Sequence, residues 1–162
     1  MKIQFWSVGK DHERIVETGV NDFTKRISNY FPVSWKIIPN SKYSSSTHPD
    51  EQKKKEAAVV LKMIDAKDYL IVLDEKGKML TSPQLAAFLQ QRANESSRNV
   101  IFLIGGAFGV DETVLQRAGL CWSLSPLTFP HQLVRLILAE QVCTGHAQLT
   151  ETKNITIHNL GA

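Results

Sequence analysis

The sequence predicts a single α/β domain: a largely parallel sheet with helices on both faces. Short apolar runs alternate with amphipathic stretches along most of the chain, as successive strand–helix units do. Two runs, residues 69–73 (YLIVL) and 99–106 (NVIFLIGG), are apolar without alternation, the pattern of strands covered on both faces. The length, 162 residues at 43% hydrophobic, suits one domain with a sizeable core.

Each element has a local reason. Residues 1–8 (MKIQFWSV) are β-rich, stop at Gly9 and read as the first strand. Over 11–29, Val16, Val20, Phe23 and Ile27 recur at helical spacing above a polar outer face. Residues 33–39 (VSWKIIP) form a second strand closed by Pro39. Residues 40–50 are Ser-rich and read as a surface loop, since too little chain precedes them to make a separate domain. A helix follows over 50–67, charged in its first half and burying Val60, Leu61 and Ile64 in its second. Its Lys53, Lys54 and Lys55 read first as a solvated face, with nucleic-acid contact as the alternative.

The strand at 69–73 leads into a polar loop over 74–82. Ser82 and Pro83 then supply an N-cap and a favoured first-turn proline for a helix carrying Leu85, Phe88 and Leu89. The strand at 99–106 breaks at Gly105 and Gly106, and Asp111 caps a short helix through Gln116 and Arg117. Residues 120–124 form a short strand, 125–131 a loop, and 133–142 (LVRLILAEQV) a helix. That helix is apolar on nearly every side through Leu133, Val134, Leu136, Ile137, Leu138, Ala139 and Val142. It is therefore expected to be buried all round, with a second copy of the chain covering the face left by its own sheet.

Composition excludes several classes. Charged residues are 22% of the chain, which argues against a disordered or coiled-coil protein. No apolar run approaches the roughly 18 residues of a membrane span. The opening residues lack the apolar stretch of a secretory leader, so the chain is expected to be cytoplasmic. The net charge of +3 permits an RNA partner without demanding one. Cys121 and Cys143 are expected to be reduced thiols, and the five histidines show no metal-ligand spacing, so no metal is expected.

In open α/β sheets ligands bind at the carboxyl ends of strands. Three loops, 74–82, 105–110 and 125–131, follow such ends and could converge on one site. The run Gly105, Gly106, Ala107, Phe108, Gly109 lets backbone approach a ligand closely. It lacks both the dinucleotide G-x-G-x-x-G spacing and the Lys of a phosphate-binding loop. From the residues alone, a simple tight turn is the equal alternative, and Leu124 and Phe129 read as core packing.

Several segments together closely resemble the RlmH family of SPOUT-class methyltransferases. They are Leu103 through Gly109, the run Leu124, Ser125, Pro126, Leu127, Thr128, Phe129, Pro130, His131, Gln132, Leu133, and then Arg135 with Glu140 and Gln141. The likeness reaches back to Met1, Lys2, Ile3, Val8, Gly9 and Lys10, and to Leu73, Asp74, Gly77, Lys78 and Ser82, covering about residues 1–142. It implies a SPOUT-type α/β fold with a C-terminal trefoil knot, which general topology rules would reject. It also implies S-adenosylmethionine as methyl donor and a homodimer. The implied substrate is N3 of a pseudouridine in the helix 69 stem-loop of 23S rRNA, on the assembled 70S ribosome. By the same resemblance Leu73, Gly105, Leu124, Ser125, Pro126, Leu127, Thr128 and Phe129 would hold the cofactor. His131 and Glu140 are candidates for a catalytic base, local hydrogen bonding being the plainer role of His131. Arg135, Lys10 and Arg14 are candidates for RNA contact, a guanidinium being unsuited to act as base.

The tail departs from the family. After Gln141 the family continues through a Tyr-Arg-Ala-like helix to a Tyr-His ending, and this chain has no Tyr-His pair over its atypical residues 143–162. The degenerate codons of residues 151–159, read two bases along, can spell Asn-Glu-Lys-Tyr-His-His-Ser and a stop, so the residues after about Gln141 read as out of frame. With Gly145 inside the expected helix, the tail is expected to be poorly ordered. The alternatives to an active enzyme on this substrate are a catalytically impaired ribosome-binding protein of the same fold and an enzyme of the class acting on another RNA.

Overall fold

The computed structural model describes residues 1–40, 48–95 and 97–160, with side chains described as far as residue 147. Most of the Ser-rich segment, 41–47, lies outside the described residues. The elements are β1 (Lys2–Val8), α1 (Arg14–Ser28), β2 (Val33–Ile38), α2 (Pro49–Met63), β3 (Tyr69–Met79), α3 (Ser82–Asn94), β4 (Asn99–Ile104), α4 (Glu112–Arg117), β5 (Leu120–Ser123) and α5 (His131–Leu160). The five strands form one all-parallel sheet in the order β2-β1-β4-β3-β5.

Alternation along the strands builds two apolar layers. Ile3, Phe5, Ile71, Val100, Phe102 and Ile104 face one side, where Ile27 of α1, Leu85 and Leu89 of α3, and Leu138 and Val142 of α5 meet them. Trp6, Val8, Leu70, Val72, Ile101 and Leu103 face the other, covered by Ala57 and Val60 of α2 and Val114 of α4. Val100, Ile101, Phe102 and Leu103 are all essentially inaccessible, which explains why β4 is apolar at every position after Asn99.

Four expectations need correction. The polar loop expected at 74–82 is strand as far as Met79: β3 shifts register between Leu73 and Lys78, both of which pair with Trp122 of β5. Polar residues read as a loop here because this strand end is largely exposed, and pairing with β5 rather than burial keeps it extended. The cap of α3 is Thr81, not Ser82. Its hydroxyl accepts from the Gln84 N–H at 3.2 Å while the Gln84 side chain accepts from the Thr81 N–H, a reciprocal capping box. The helix expected to reach residue 67 ends at Met63, because Ile64 turns to extended backbone and Asp68 Oδ2 accepts from the Asp65 N–H.

The fourth correction concerns α5, which spans His131–Leu160 where a helix over 133–142 was expected. Val142 is buried in the core, Gly145 lies on α3 with its β-carbon position 3.6 Å from Ala86 Cα, and the His146 ring sits 4.0 Å from that of Tyr30. Side chains beyond residue 147 lie outside the described residues, and most of the tail expected to be atypical, 143–162, lies there. The same neighbours revise the argument for a second copy. The flanks of α5 are filled from within the chain, by α1 on one side, where Leu136 packs against Gly19, and by α3 on the other.

Candidate functional site

Where β4 and β5 end, beside the register shift of β3, the structure has an open cleft of about 210 Å³. Leu73 of β3 lines it just before that shift, Gly105 follows β4, and Leu124, Leu127, Thr128 and Phe129 come from the segment after β5. Six of the eight residues expected to hold a cofactor therefore face one space. Ser125 and Pro126 do not line it. Ser125 instead shapes the loop, its hydroxyl accepting from the Leu127 N–H at 3.0 Å and its carbonyl accepting from the Ser123 hydroxyl at 3.1 Å. Of the three loops expected to converge, the one expected at 74–82, which is strand as far as Met79, contributes only Asp74 and Glu75, both carboxylates.

The glycine turn after β4 is closed by the Gly109 N–H donating to the Gly106 carbonyl at 3.1 Å, and Gly109 takes φ +87°, a conformation that favours glycine. A β-carbon at Gly105 would lie 2.5 Å from Val110 Cγ2, so the turn folds too tightly for any side chain there.

The start of α5 is tied to this turn and to the loop after β1. His131 Nε2 lies 2.8 Å from the Gly105 carbonyl oxygen, so it carries the proton and donates. Burial holds the His131 imidazole below its usual range, which keeps the ring neutral and this tautomer in place; the bond to Gly105 opposes that shift in part and nearby Arg135 adds to it. With Nε2 engaged, His131 positions the glycine turn. Gln132 Oε1 accepts from the Glu13 N–H at 3.0 Å, pinning the chain between β1 and α1 to α5.

Arg135 is fully buried, so the guanidinium is not on the surface of the single chain. Its Nε donates to the Ser7 hydroxyl at 2.9 Å and its Nη1 lies 3.2 Å from His12 Nδ1, while Nη2 has no hydrogen-bond partner and lies near Gly9. Burial and the Arg135 charge both push the His12 imidazole down, with Glu17 and Asp11 opposing. Lys10 and Arg14 are exposed and flank this network. Glu140 is held on α5 itself, accepting from Gln141 Nε2 and from the Thr144 hydroxyl at 2.7 Å, and does not line the cleft.

Sequence reasoning missed the Ser7–Arg135–His12 network and the wall residues Trp122, Val110 and Val134. One signal for the network was present: Ser7 shares a strand face with Ile3 and Phe5, where a hydroxyl must find a buried partner. Cys121 and Cys143 are free thiols, and burial pushes both up, away from thiolate reactivity. Among the described residues no group of His, Cys, Asp and Glu is arranged to hold a metal, and no helix is long and apolar enough to cross a membrane.

A family model described as a predicted SPOUT methyltransferase matches residues 1–149. Among curated relatives, the ribosomal RNA large subunit methyltransferase H of Alkaliphilus oremlandii is 40% identical over 148 residues, 90% of this chain and 93% of its own. The protein of the same name from Cytophaga hutchinsonii is 37% identical over 142 residues, covering 88% and 91%. That of Christiangramia forsetii is 33% identical over 159 residues, covering 98% and 99%. With a parallel α/β sheet that ends in a glycine turn and an apolar cleft, and with this match over most of its length, the chain belongs to the SPOUT methyltransferase family.

Proposed function

We propose that the chain methylates 23S rRNA, transferring a methyl group from S-adenosylmethionine to N3 of a pseudouridine in the helix 69 stem-loop, as a cytoplasmic homodimer acting on the assembled 70S ribosome. The cleft carries this reading. Leu124, Leu127 and Phe129 offer apolar walls to a neutral heterocycle, and exposed backbone at the glycine turn can meet its hydrogen-bonding edge. Asp74 and Glu75 at the same cleft suit a ligand bearing positive charge. The names of the relatives, each a large-subunit rRNA methyltransferase, support the substrate class.

Bound there, the cofactor would supply an electrophilic methyl carbon on a sulfonium that leaves readily. The work left to the protein is alignment of donor and acceptor, a gain of up to roughly 7–11 kcal/mol in ideal cases. His131 fixes the Gly105 carbonyl and hence the cleft wall, and Arg135 fixes the loop after β1 through Ser7 and His12. As the N3–methyl bond forms, the imide proton of N3 must leave. The engaged Nε2 of His131 and the hydrogen-bonded carboxylate of Glu140 are not poised to take it. Lys10 and Arg14 are the phosphate contacts in this reading, so ribosome binding weakens as salt rises.

The test is methyl transfer to 70S ribosomes lacking the modification. Incorporation at the target pseudouridine is expected, and incorporation elsewhere would point to another RNA. A second reading, a ribosome-binding protein of low activity, is favoured by the absence of a Tyr-His pair from the tail. Binding to ribosomes without transfer would support it. The nucleotide sequence of codons 140–160 tests its cause: a second frame without a Tyr-His ending removes the frame-shift explanation.

A further inference from the structure

We infer that Glu56 of α2 is a positioning residue for the glycine turn of the cofactor cleft, its carboxylate filling the space that a side chain at position 106 would need. The inference rests on the cofactor reading above and states how that site is held in shape.

A β-carbon at Gly106 would lie 2.8 Å from Glu56 Oε1 and 2.9 Å from Oε2. Gly106 does not adopt a positive φ, so its backbone conformation does not by itself require glycine; the space a side chain there would take is held by the movable end of Glu56. The turn is also thin. Gly105, Gly109 and Val110 line the cofactor cleft and, on their other side, a small hollow under α2 where Lys53, Glu56 and Asp111 gather. Whatever occupies that hollow therefore sets where the cleft wall stands.

Glu56 is itself held in place. Gln52 Nε2, one helical turn earlier, donates to Glu56 Oε1 at 3.3 Å. Burial pushes the Glu56 carboxyl up, a cost the fold carries for keeping an acid against a glycine. The turn is pinned from two further directions, by the Gly109-to-Gly106 backbone bond and by His131 on the Gly105 carbonyl. Glu56 supplies the support from behind. Removing it opens room for the turn to fall back toward α2, widening the cleft and loosening its grip on the ligand.

The experiment is calorimetric titration of the full chain with S-adenosylmethionine, with the melting temperature followed in parallel. Glu56→Ala is expected to weaken binding about tenfold, and the similarly sized Glu56→Gln to stay within about twofold of wild type. Gly106→Ala, whose methyl group pushes the carboxylate aside, is expected to weaken binding by no more than Glu56→Ala does. Combined with Glu56→Ala it should bind no worse than Glu56→Ala alone, because the methyl group then has the vacated space. These affinity changes should not follow the melting temperature, as those of a merely structural residue would. Should Glu56→Ala not fold, Glu56→Asp, which withdraws the carboxylate by one carbon, carries the same comparison. Wild-type affinity in Glu56→Ala, or losses that multiply in the double variant, would overturn the inference. A wild-type chain that does not bind S-adenosylmethionine is a different result: it ends the cofactor reading, and this inference with it.

Discussion

Residues 131–135 of α5 meet the loops at the strand ends, whereas residues 136–147 of the same helix meet other helices and the core. In the first stretch His131 holds the Gly105 carbonyl, Gln132 holds the Glu13 N–H, Val134 lines the cleft and Arg135 reaches Ser7 and His12. In the second, Val142 and Cys143 pack into the sheet-facing core, Gly145 lies on Ala86, and His146 packs against the rings of Tyr30 and Phe31. One helix thus does two jobs. A few directional bonds at its start set the shape of the site, and non-directional contact along its continuation holds the helix to the domain. Directional bonds need particular residues at particular positions. Apolar contact needs only approximate shape.

The largest expected effect is at the point the first stretch holds. Gly105→Val would press a branched side chain into Val110 and the Gly109 carbonyl, and should abolish S-adenosylmethionine binding while the chain remains folded. Calorimetry with circular dichroism checks both halves of that statement, and wild-type affinity would mean the cleft is misassigned.

Truncation addresses the second stretch. A chain ending at Gln141 loses the buried Val142 and the contacts of Cys143, Gly145 and His146, and should lose roughly 2–4 kcal/mol of stability in urea melts. A chain ending at Ala147 keeps those contacts and should melt with a smaller loss. Equal losses from both truncations would locate the contribution of α5 beyond residue 147 and break the comparison as drawn.

His131→Asn is a milder probe of the first stretch. It shortens the donor to the Gly105 carbonyl, so cofactor affinity should fall about tenfold with a stability loss of only about 1 kcal/mol. The reverse pattern, intact affinity and a large stability loss, would make His131 a packing residue like those that follow it.

The smallest effect is on pH dependence. His12 and His131 both have imidazoles held below the ordinary value of 6.5, so the unfolded chain binds more protons than the folded one as pH falls. Their contribution to stability is complete above pH 6.5 and is lost as the pH drops below it toward the folded values. The urea midpoint should decline over that window, and His131→Asn should flatten the decline. A midpoint that rises on acidification would contradict the assigned direction.

The sheet and its helices were legible in the sequence because periodicity records burial. Fully apolar runs became the central strands, and Val16, Val20 and Ile27 became the inner face of α1. The cleft was legible in part. Resemblance to the RlmH family marked eight residues, of which Leu73, Gly105, Leu124, Leu127, Thr128 and Phe129 line it and Ser125 and Pro126 do not.

By itself the sequence determined the alternation of elements, the all-apolar strands and the place where the sheet would open into a cleft. Each of these follows from local patterning of apolar residues and glycine. Only the tertiary structure decided that residues 74–79 are strand, because β5 supplies their pairing from more than forty positions away. It alone decided that Arg135 turns inward to Ser7 and His12, that Glu56 stands behind Gly106, and that α5 continues past Gln141 between α1 and α3. These outcomes depend on which residues distant in sequence arrive as neighbours, and the free energy of a contact is set by both partners, of which the local sequence records only one.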